Sequence, residues 1–318
     1  MQKRPLGDTG LQIAPLVLGG NVFGWTLNER ESFKILDAID DHGFNAIDTA
    51  DAYSTWVPGN KGGESETIIG KWMKANPAKR DQVVVFTKVG SPMKPSMTKK
   101  DLSARWILEE VENSLKRLGV ERIDLYFSHW PDPDTPYAET LGAYDTLIKA
   151  GKVSAIGCSN LDAAELGEAL KVARENSLPA YQVLQPEYNL YARSGFEGPL
   201  ADLCIRKGLG VVNYYGLASG FLTGKYRAEA DFGKSQRGGG MAKYLNARGL
   251  KILEALDLIA YRQNALLAEV ALAWLMARPG ITAPIASATR FDQVESFARA
   301  ANLTLTDEDM TELNAASA

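Results

Sequence analysis

The chain has 318 residues, 45% hydrophobic and 23% charged, enough for two average domains or one barrel of eight βα units. Its net charge is −4 with both signs interspersed, which gives no electrostatic reason to expect nucleic acid or an anionic membrane as a partner. The N-terminal stretch MQKRPLGDTGL lacks the apolar segment of a signal peptide. The longest apolar run, LLAEVALAWLM near 266–276, is broken by Glu269 and falls short of the ~20 residues that span a bilayer.

In chain order, RPLGDTGLQIA sets turn residues between apolar ones and predicts a small hairpin that closes the bottom of a barrel. Strands are then predicted at Leu16–Gly19, Asn45–Asp48, Val83–Lys88, Asp124–His129, Ser154–Ser159, Tyr181–Gln185, Gly210–Tyr214 and Thr282–Ala286. Most are continuous apolar runs, the pattern of parallel strands covered on both faces. Helix signals fill the gaps. Asn28 with Glu31, and Asp162 with Glu165, have capping-box spacing. Thr135-Pro136 places a cap residue before a proline at the first helical position. Ile107, Val111, Leu115 and Leu118 make one apolar stripe, and Gly43, Gly119 and Gly151 stand where helices stop. Eight strands, each followed by a helix and without a composition shift between them, predict a single (β/α)8 TIM barrel domain over 1–318. The last two strands are far apart, and the gap holds GLASGFLTGKYRAEADFGKSQRGGG, a long Gly-rich, basic loop of the kind that is usually functional. Cys158 and Cys204 sit among apolar neighbours and read as buried thiols, so no disulfide framework and a reducing, cytoplasmic setting are expected.

Active sites of such barrels lie at the C-terminal ends of the strands. The second predicted strand ends in Asp48, the third in Lys88 and the fourth in His129, and Tyr53 follows Asp48 by five residues. A tyrosine titrates near ~10, too high for easy proton donation at neutral pH. A neighbouring ammonium stabilises the phenolate and is expected to lower that value, a carboxylate holds the ammonium, and a histidine orients the substrate oxygen. Trp25, Trp56 and Trp130 fall in loops around the barrel mouth and predict an aromatic-walled substrate pocket for a bulky or ring-bearing molecule. No Gly-x-Gly-x-x-Gly follows a strand, Gly220 to Lys225 is one residue short of a P-loop, and two distant histidines and two distant cysteines make no zinc motif, so no metal is expected.

The segments NAIDTADAY, VVVFTK, DLYFSHW, AIGCSN, QPEYNLY and ASGFLTGKY, in this order across the chain, resemble the aldo-keto reductases, in the branch that also contains potassium-channel beta subunits. The resemblance implies a catalytic tetrad of Asp48, Tyr53, Lys88 and His129, with Trp25, Trp56 and Trp130 joining Tyr53 and His129 at the substrate. It implies an NADPH site, with NADH as the other candidate. Gly20, Asn21, Val22 and Asp48 border that site, and Ser159, Asn160 and Gln185 hold the carboxamide. Tyr214, Tyr215 and Gly216 lie at the nicotinamide, and Leu217, Ser219 and Gly220 at the diphosphate. Lys225 and Arg237 are basic groups for the adenosine phosphate, and Ser287, Thr289, Arg290 and Gln293 form the adenosine end. Tyr214-Tyr215-Gly216 and Ser296-Phe297 depart from the usual family residues there. The implied function is reduction of an aldehyde or ketone to an alcohol, or the reverse, on a small-molecule substrate. The alternative is a nicotinamide-binding regulatory subunit with little turnover.

Overall fold

The computed structural model describes residues 1–93 and 97–318. Two short strands, β1 (Arg4–Pro5) and β2 (Gln12–Ile13), form the N-terminal antiparallel hairpin. Eight parallel strands follow: β3 (Val17–Gly19), β4 (Ala46–Asp48), β5 (Val84–Val89), β6 (Ile123–Ser128), β7 (Val153–Ser159), β8 (Val183–Gln185), β9 (Gly210–Val211) and β10 (Ile285–Ala286). They pair in chain order, with β10 returning to lie beside β3. Backbone bonds from Thr282 N to Val211 O (2.9 Å) and from Ile285 N to Asn213 O (2.8 Å) join the two ends of the sheet into a (β/α)8 barrel. The observed β10 is shorter than the predicted Thr282–Ala286 because Pro284 has no N–H to give the ladder, although its carbonyl still accepts from Val17 N.

The helices are α1 (Glu29–Asp41), α2 (Glu64–Ala75), α3 (Pro77–Arg80), α4 (Ala104–Leu118), α5 (Tyr137–Lys149), α6 (Ala163–Glu175), α7 (Pro199–Lys207), α8 (Ala247–Gln263), α9 (Leu267–Ala277), α10 (Phe291–Asn302) and α11 (Asp307–Ala316). Both capping boxes form: Asn28 accepts from Glu31 N while Glu31 accepts from Asn28 N, and Asp162 pairs with Glu165 in the same way. Gly119 ends α4 in the left-handed conformation. The Thr135-Pro136 signal is misplaced by one position. Pro136 itself is the N-cap of α5, and the Thr135 hydroxyl is taken by Asp132 at 2.7 Å.

Two apolar layers hold the barrel. Val17, Ala46, Phe86, Leu125, Phe127, Ala155, Val183, Val212 and Ala283 fill its interior, and Leu6 and Ile13 of the hairpin join that cluster. A Cβ on Gly210 would come within 2.7 Å of the Leu6 side chain, so glycine there lets the hairpin seat against the barrel floor. The outer layer packs helices on strands. The α4 stripe Ile107, Val111, Leu115 and Leu118 is buried there, as are both cysteines, whose thiols are free and pushed up by burial. Glu269, which breaks the longest apolar run, is buried in an ion pair with Arg299 at 2.7 Å. Among the described residues no helix is long and apolar enough to cross a membrane.

The gap between β9 and β10 contains more than a loop. Three short 3-10 turns (Ala218–Thr223, Glu229–Lys234 and Gly238–Gly240) precede α8 and α9. The turns are tied down: Arg227 is bidentate to Asp257 (2.7 and 2.8 Å), Lys234 donates to Lys225 O, and the Tyr226 and Ser235 hydroxyls are bonded.

Candidate active site

Four successive strands deliver polar groups to one end of the barrel. Asp48 ends β4, Lys88 lies near the end of β5, His129 follows β6, and Ser159 ends β7. Parallel register puts Asp48 beside Phe86 and Ser128 beside Cys158, so these ends are level around the rim. Tyr53 is brought back over them by a tight turn. Ser54 takes a left-handed φ of 72° and its hydroxyl donates to Phe23 O at 2.8 Å.

The Lys88 ammonium is wholly buried and donates to Asp48 Oδ1 (2.7 Å), Asp48 Oδ2 (2.8 Å), Thr49 O (2.7 Å) and the Tyr53 hydroxyl (2.8 Å). Tyr53 in turn donates to Asp48 Oδ2 at 3.0 Å. Gln185 at the end of β8 donates to Asp48 Oδ1 at 2.9 Å. Asp48 is therefore a hub that holds three other side chains. Burial pulls Lys88 below the ordinary lysine value, and Asp48 opposes that. Burial, reinforced by the negative charge of Asp48, pushes the Tyr53 hydroxyl well above its ordinary value. This corrects the expectation that Lys88 brings the tyrosine down. The positive charge of Arg237 offsets part of the rise, but desolvation wins, and the phenol rests protonated.

His129 stands 6.0 Å from the Tyr53 ring, centroid to centroid, and its Nδ1 lies 3.0 Å from the Ser91 hydroxyl. Burial first, then the charges of Lys88 and Lys100, hold it well below the ordinary histidine range, so it is neutral at pH 7. Sequence reasoning missed Ser91. It lies three residues beyond Lys88 at the same strand end, and that position was the available signal.

These groups open into a cleft of about 1080 Å³. Asn21, Val22, Ser159, Asn160, Gln185, Tyr214, Tyr215, Gly216, Leu217, Ser219, Gly220, Lys225, Arg237, Ser287, Thr289 and Gln293 line it with Tyr53 and His129. Two expected residues do not. Gly20 is buried, with its carbonyl accepting from Ser65, and Arg290 is turned to Asp292 at 2.8 Å, largely exposed. Tyr214 donates to Asn160 Oδ1 (2.8 Å), Asn160 donates to His129 O (2.9 Å), and Ser159 donates to Gln185 O (2.7 Å), so the expected carboxamide-binding residues form one connected chain. Ala218, Ser219 and Gly220 all take positive φ. At 100° Gly220 needs glycine, and a Cβ there would lie 3.6 Å from the Lys225 ammonium, which glycine leaves facing the cleft.

The three mouth tryptophans all line the cleft. Trp25 meets Trp56 edge to face at 5.6 Å, Trp56 meets Tyr53 at 6.3 Å, and Trp130 stacks on His129 at 6.0 Å. Trp56 is 50% exposed and Trp130 36%, so each keeps part of its ring surface open to the cleft. The sequence reading placed Arg237 with the adenosine phosphate; its guanidinium lies over the Trp25 ring, 5.4 Å from the centroid, in this aromatic wall.

The profile of the Aldo/keto reductase family matches residues 15–318. The chain belongs to the aldo/keto reductase family. Membership carries with it NAD(P)H-dependent carbonyl reduction as the general chemistry of the family. Its relatives include a probable voltage-gated potassium channel subunit beta of Arabidopsis thaliana, 33% identical over 95% of this chain and 92% of that protein. Aldo-keto reductase YhdN of Bacillus subtilis is 32% identical over 99% and 93%. The L-glyceraldehyde 3-phosphate reductase of Escherichia coli is 30% identical over 99% and 92%.

Proposed function

We propose that this chain reduces a bulky or ring-bearing aldehyde or ketone to the alcohol, or catalyses the reverse, with NADPH as cofactor and Tyr53 as proton donor. The observation that carries the reading is the Tyr53 hydroxyl held between Lys88 Nζ at 2.8 Å and Asp48 Oδ2 at 3.0 Å at the base of the cleft. When bound, the nicotinamide supplies or takes up the hydride. Ser159, Asn160 and Gln185 hold its carboxamide, and Tyr214 offers its ring. Ser219, Gly220 and Lys225 meet the diphosphate, and Thr289 and Gln293 the adenosine. Tyr53, protonated at rest, gives its proton to the carbonyl oxygen. Lys88 stabilises the phenolate that remains, and Asp48 keeps Lys88 charged in spite of its burial. Neutral His129 donates a hydrogen bond to the same oxygen and so fixes its position.

The choice of NADPH rests on Lys225 beside Gly220 and on Arg290 next to Thr289, where a 2′-phosphate would share the guanidinium with Asp292. NADPH is expected to bind at least about tenfold more tightly than NADH, since a charge-assisted bond contributes ~1.5–3 kcal/mol. Titrations followed by tryptophan fluorescence check this, and equal affinities would remove the preference.

The likeness to channel beta subunits supports one other reading, a nicotinamide-binding regulatory subunit. Steady-state NADPH consumption with a panel of aldehydes and ketones separates the two. Turnover supports the enzyme, whereas tight NADPH binding without turnover of any carbonyl supports the subunit.

A further inference from the structure

Strand residues two apart share a face, and the run that begins in β8 carries that alternation past the strand end. Val183 fills the barrel interior, Gln185 reaches Asp48, and Glu187 lines the cleft, partly buried. The backbone of Glu187 pairs with Tyr214 in a parallel bridge, flanked by bonds from Tyr214 N to Pro186 O (2.9 Å) and from Tyr188 N to Tyr214 O (3.4 Å). Paired residues of neighbouring strands point to the same face, so the carboxylate and the phenol ring rise side by side. Burial first, then the negative charge of Glu187, push the Tyr214 hydroxyl above its ordinary value. Among the described residues three carboxylates line the cleft, and two of them are engaged: Asp48 with Lys88, and Glu31 in the capping box of α1. The Glu187 carboxylate forms no hydrogen bond or ion pair among the described residues. Lys243 lies within its field without pairing to it, its ammonium 4.7 Å over the Tyr244 ring. An unpaired negative charge in a partly buried wall favours a positive charge that arises beside it.

We infer that Glu187 is the counter-charge for the nicotinamide ring: it holds the cationic, oxidised form in preference to the neutral, reduced one and so eases hydride donation. This rests on the carbonyl-reduction reading, which puts Tyr214 against that ring. Hydride passes from the dihydronicotinamide to the carbonyl carbon, Tyr53 gives its proton to the oxygen, and the ring is left with one positive charge. That charge is absent before the transfer and grows during it. Attraction to Glu187 is therefore stronger in the transition state than in the ground state, which is the condition for an interaction to speed the step.

A cationic group on a substrate would draw on the same carboxylate, so the test must separate the two sources. NADP+ and NADPH carry the same phosphates and differ in ring charge, so the ratio of their affinities isolates that charge. Both are titrated by quenching of tryptophan fluorescence. Glu187→Gln, which keeps the side chain's shape, is expected to shift the ratio against NADP+ by roughly three- to tenfold, with NADPH affinity nearly unchanged. Glu187→Asp should keep part of the preference, and added salt should narrow the gap between wild type and Glu187→Gln. The substrate probes are 4-(trimethylammonio)benzaldehyde and 4-tert-butylbenzaldehyde, alike in shape and different in charge. Their rates of NADPH consumption should fall by the same factor in Glu187→Gln. An unchanged NADP+ to NADPH ratio overturns the counter-charge, and if only the cationic aldehyde then suffers, the carboxylate serves the substrate. Equal loss of affinity for both cofactor forms also overturns it, because the side chain then acts by shape. A shifted ratio in a protein whose wild type reduces neither these aldehydes nor any of a panel of carbonyls leaves the counter-charge standing and overturns the carbonyl-reduction reading instead.

Discussion

At the scale of single residues, the neutrality of His129 sets what it can do. The Ser91 hydroxyl, 3.0 Å from Nδ1, is able to donate to it, and in that arrangement the ring proton sits on Nε2, free to reach a substrate oxygen. Ser91→Ala releases that choice of tautomer. It should lower kcat/KM by roughly tenfold, within the range of positioned acid-base effects, and Ser91→Thr should restore most of it. The depressed value of His129 also means that no loss of activity from its protonation should appear on lowering the pH from 8 to 6. A fall in kcat/KM with a midpoint near the ordinary histidine value of ~6.5 would contradict this. Trp25→Ala, Trp56→Ala and Trp130→Ala should raise KM for bulky carbonyls more than for small aldehydes, because the lost contact scales with buried area. A uniform rise would mark the rings as loop anchors. The meeting of Asp48, Tyr53, Lys88 and His129 at one rim was legible because side chains at strand ends must converge in a barrel. Ser91 and Gln185 were not legible in their observed roles. The contacts they make, to His129 Nδ1 and Asp48 Oδ1, are tertiary and leave no local pattern.

At the scale of elements, local chemistry predicted what local chemistry governs. Both capping boxes and the α4 stripe formed as read, since their partners lie within a few residues. The Thr135-Pro136 signal failed because Asp132, upstream, competes for the same hydroxyl. The long segment after β9 was read as a loop and is a set of tied turns, because its ties reach α8 through Asp257. Those ties are mostly exposed, so the segment opens at low cost. Residues 219–240 should gain protection from hydrogen exchange on adding NADPH. Arg227→Ala should leave stability nearly unchanged and speed NADPH release severalfold, as expected for a strap that gates the cofactor. Unchanged exchange at saturating NADPH would make the segment a bystander.

At the scale of the whole molecule, eight apolar runs in order implied the closed sheet, and the hairpin at its floor was readable from turn residues. A buried ionic cluster behind the barrel was not readable, since its members come from the β4 loop, α2 and α4. Arg117 binds Glu66 at 2.6 Å and Glu110, Thr87 donates to Glu66, and Asp51 lies near them with neither carboxyl oxygen bonded among the described residues. Burial, then Glu66 and Glu110, hold Asp51 well above the usual carboxylate range. An acid raised on folding binds its proton more tightly when folded. Its contribution is therefore present below the unfolded value of about 3.9 and is lost as pH rises from there through the folded value. Asp51→Asn should accordingly raise Tm, and the gain should grow from pH 4 to pH 8. A gain that shrinks with pH would show Asp51 to be ionised and paired. Arg117→Met should cost ~3–5 kcal/mol, because it strands two buried carboxylates.

The measurement that tests the central claim most directly is kcat for Tyr53→Phe, Lys88→Met and the double variant, under conditions where chemistry limits turnover, with NADPH affinity measured on each. Tyr53→Phe keeps the ring and removes the acid, so affinity should survive while kcat falls by ~10²–10⁴-fold or more. Lys88→Met should cost a similar factor through the same hydroxyl, and the double variant should be little worse than either single one. A Tyr53→Phe protein that keeps more than about a tenth of the wild-type kcat, well short of the loss expected for a positioned acid, would contradict the assignment of Tyr53 as the proton donor.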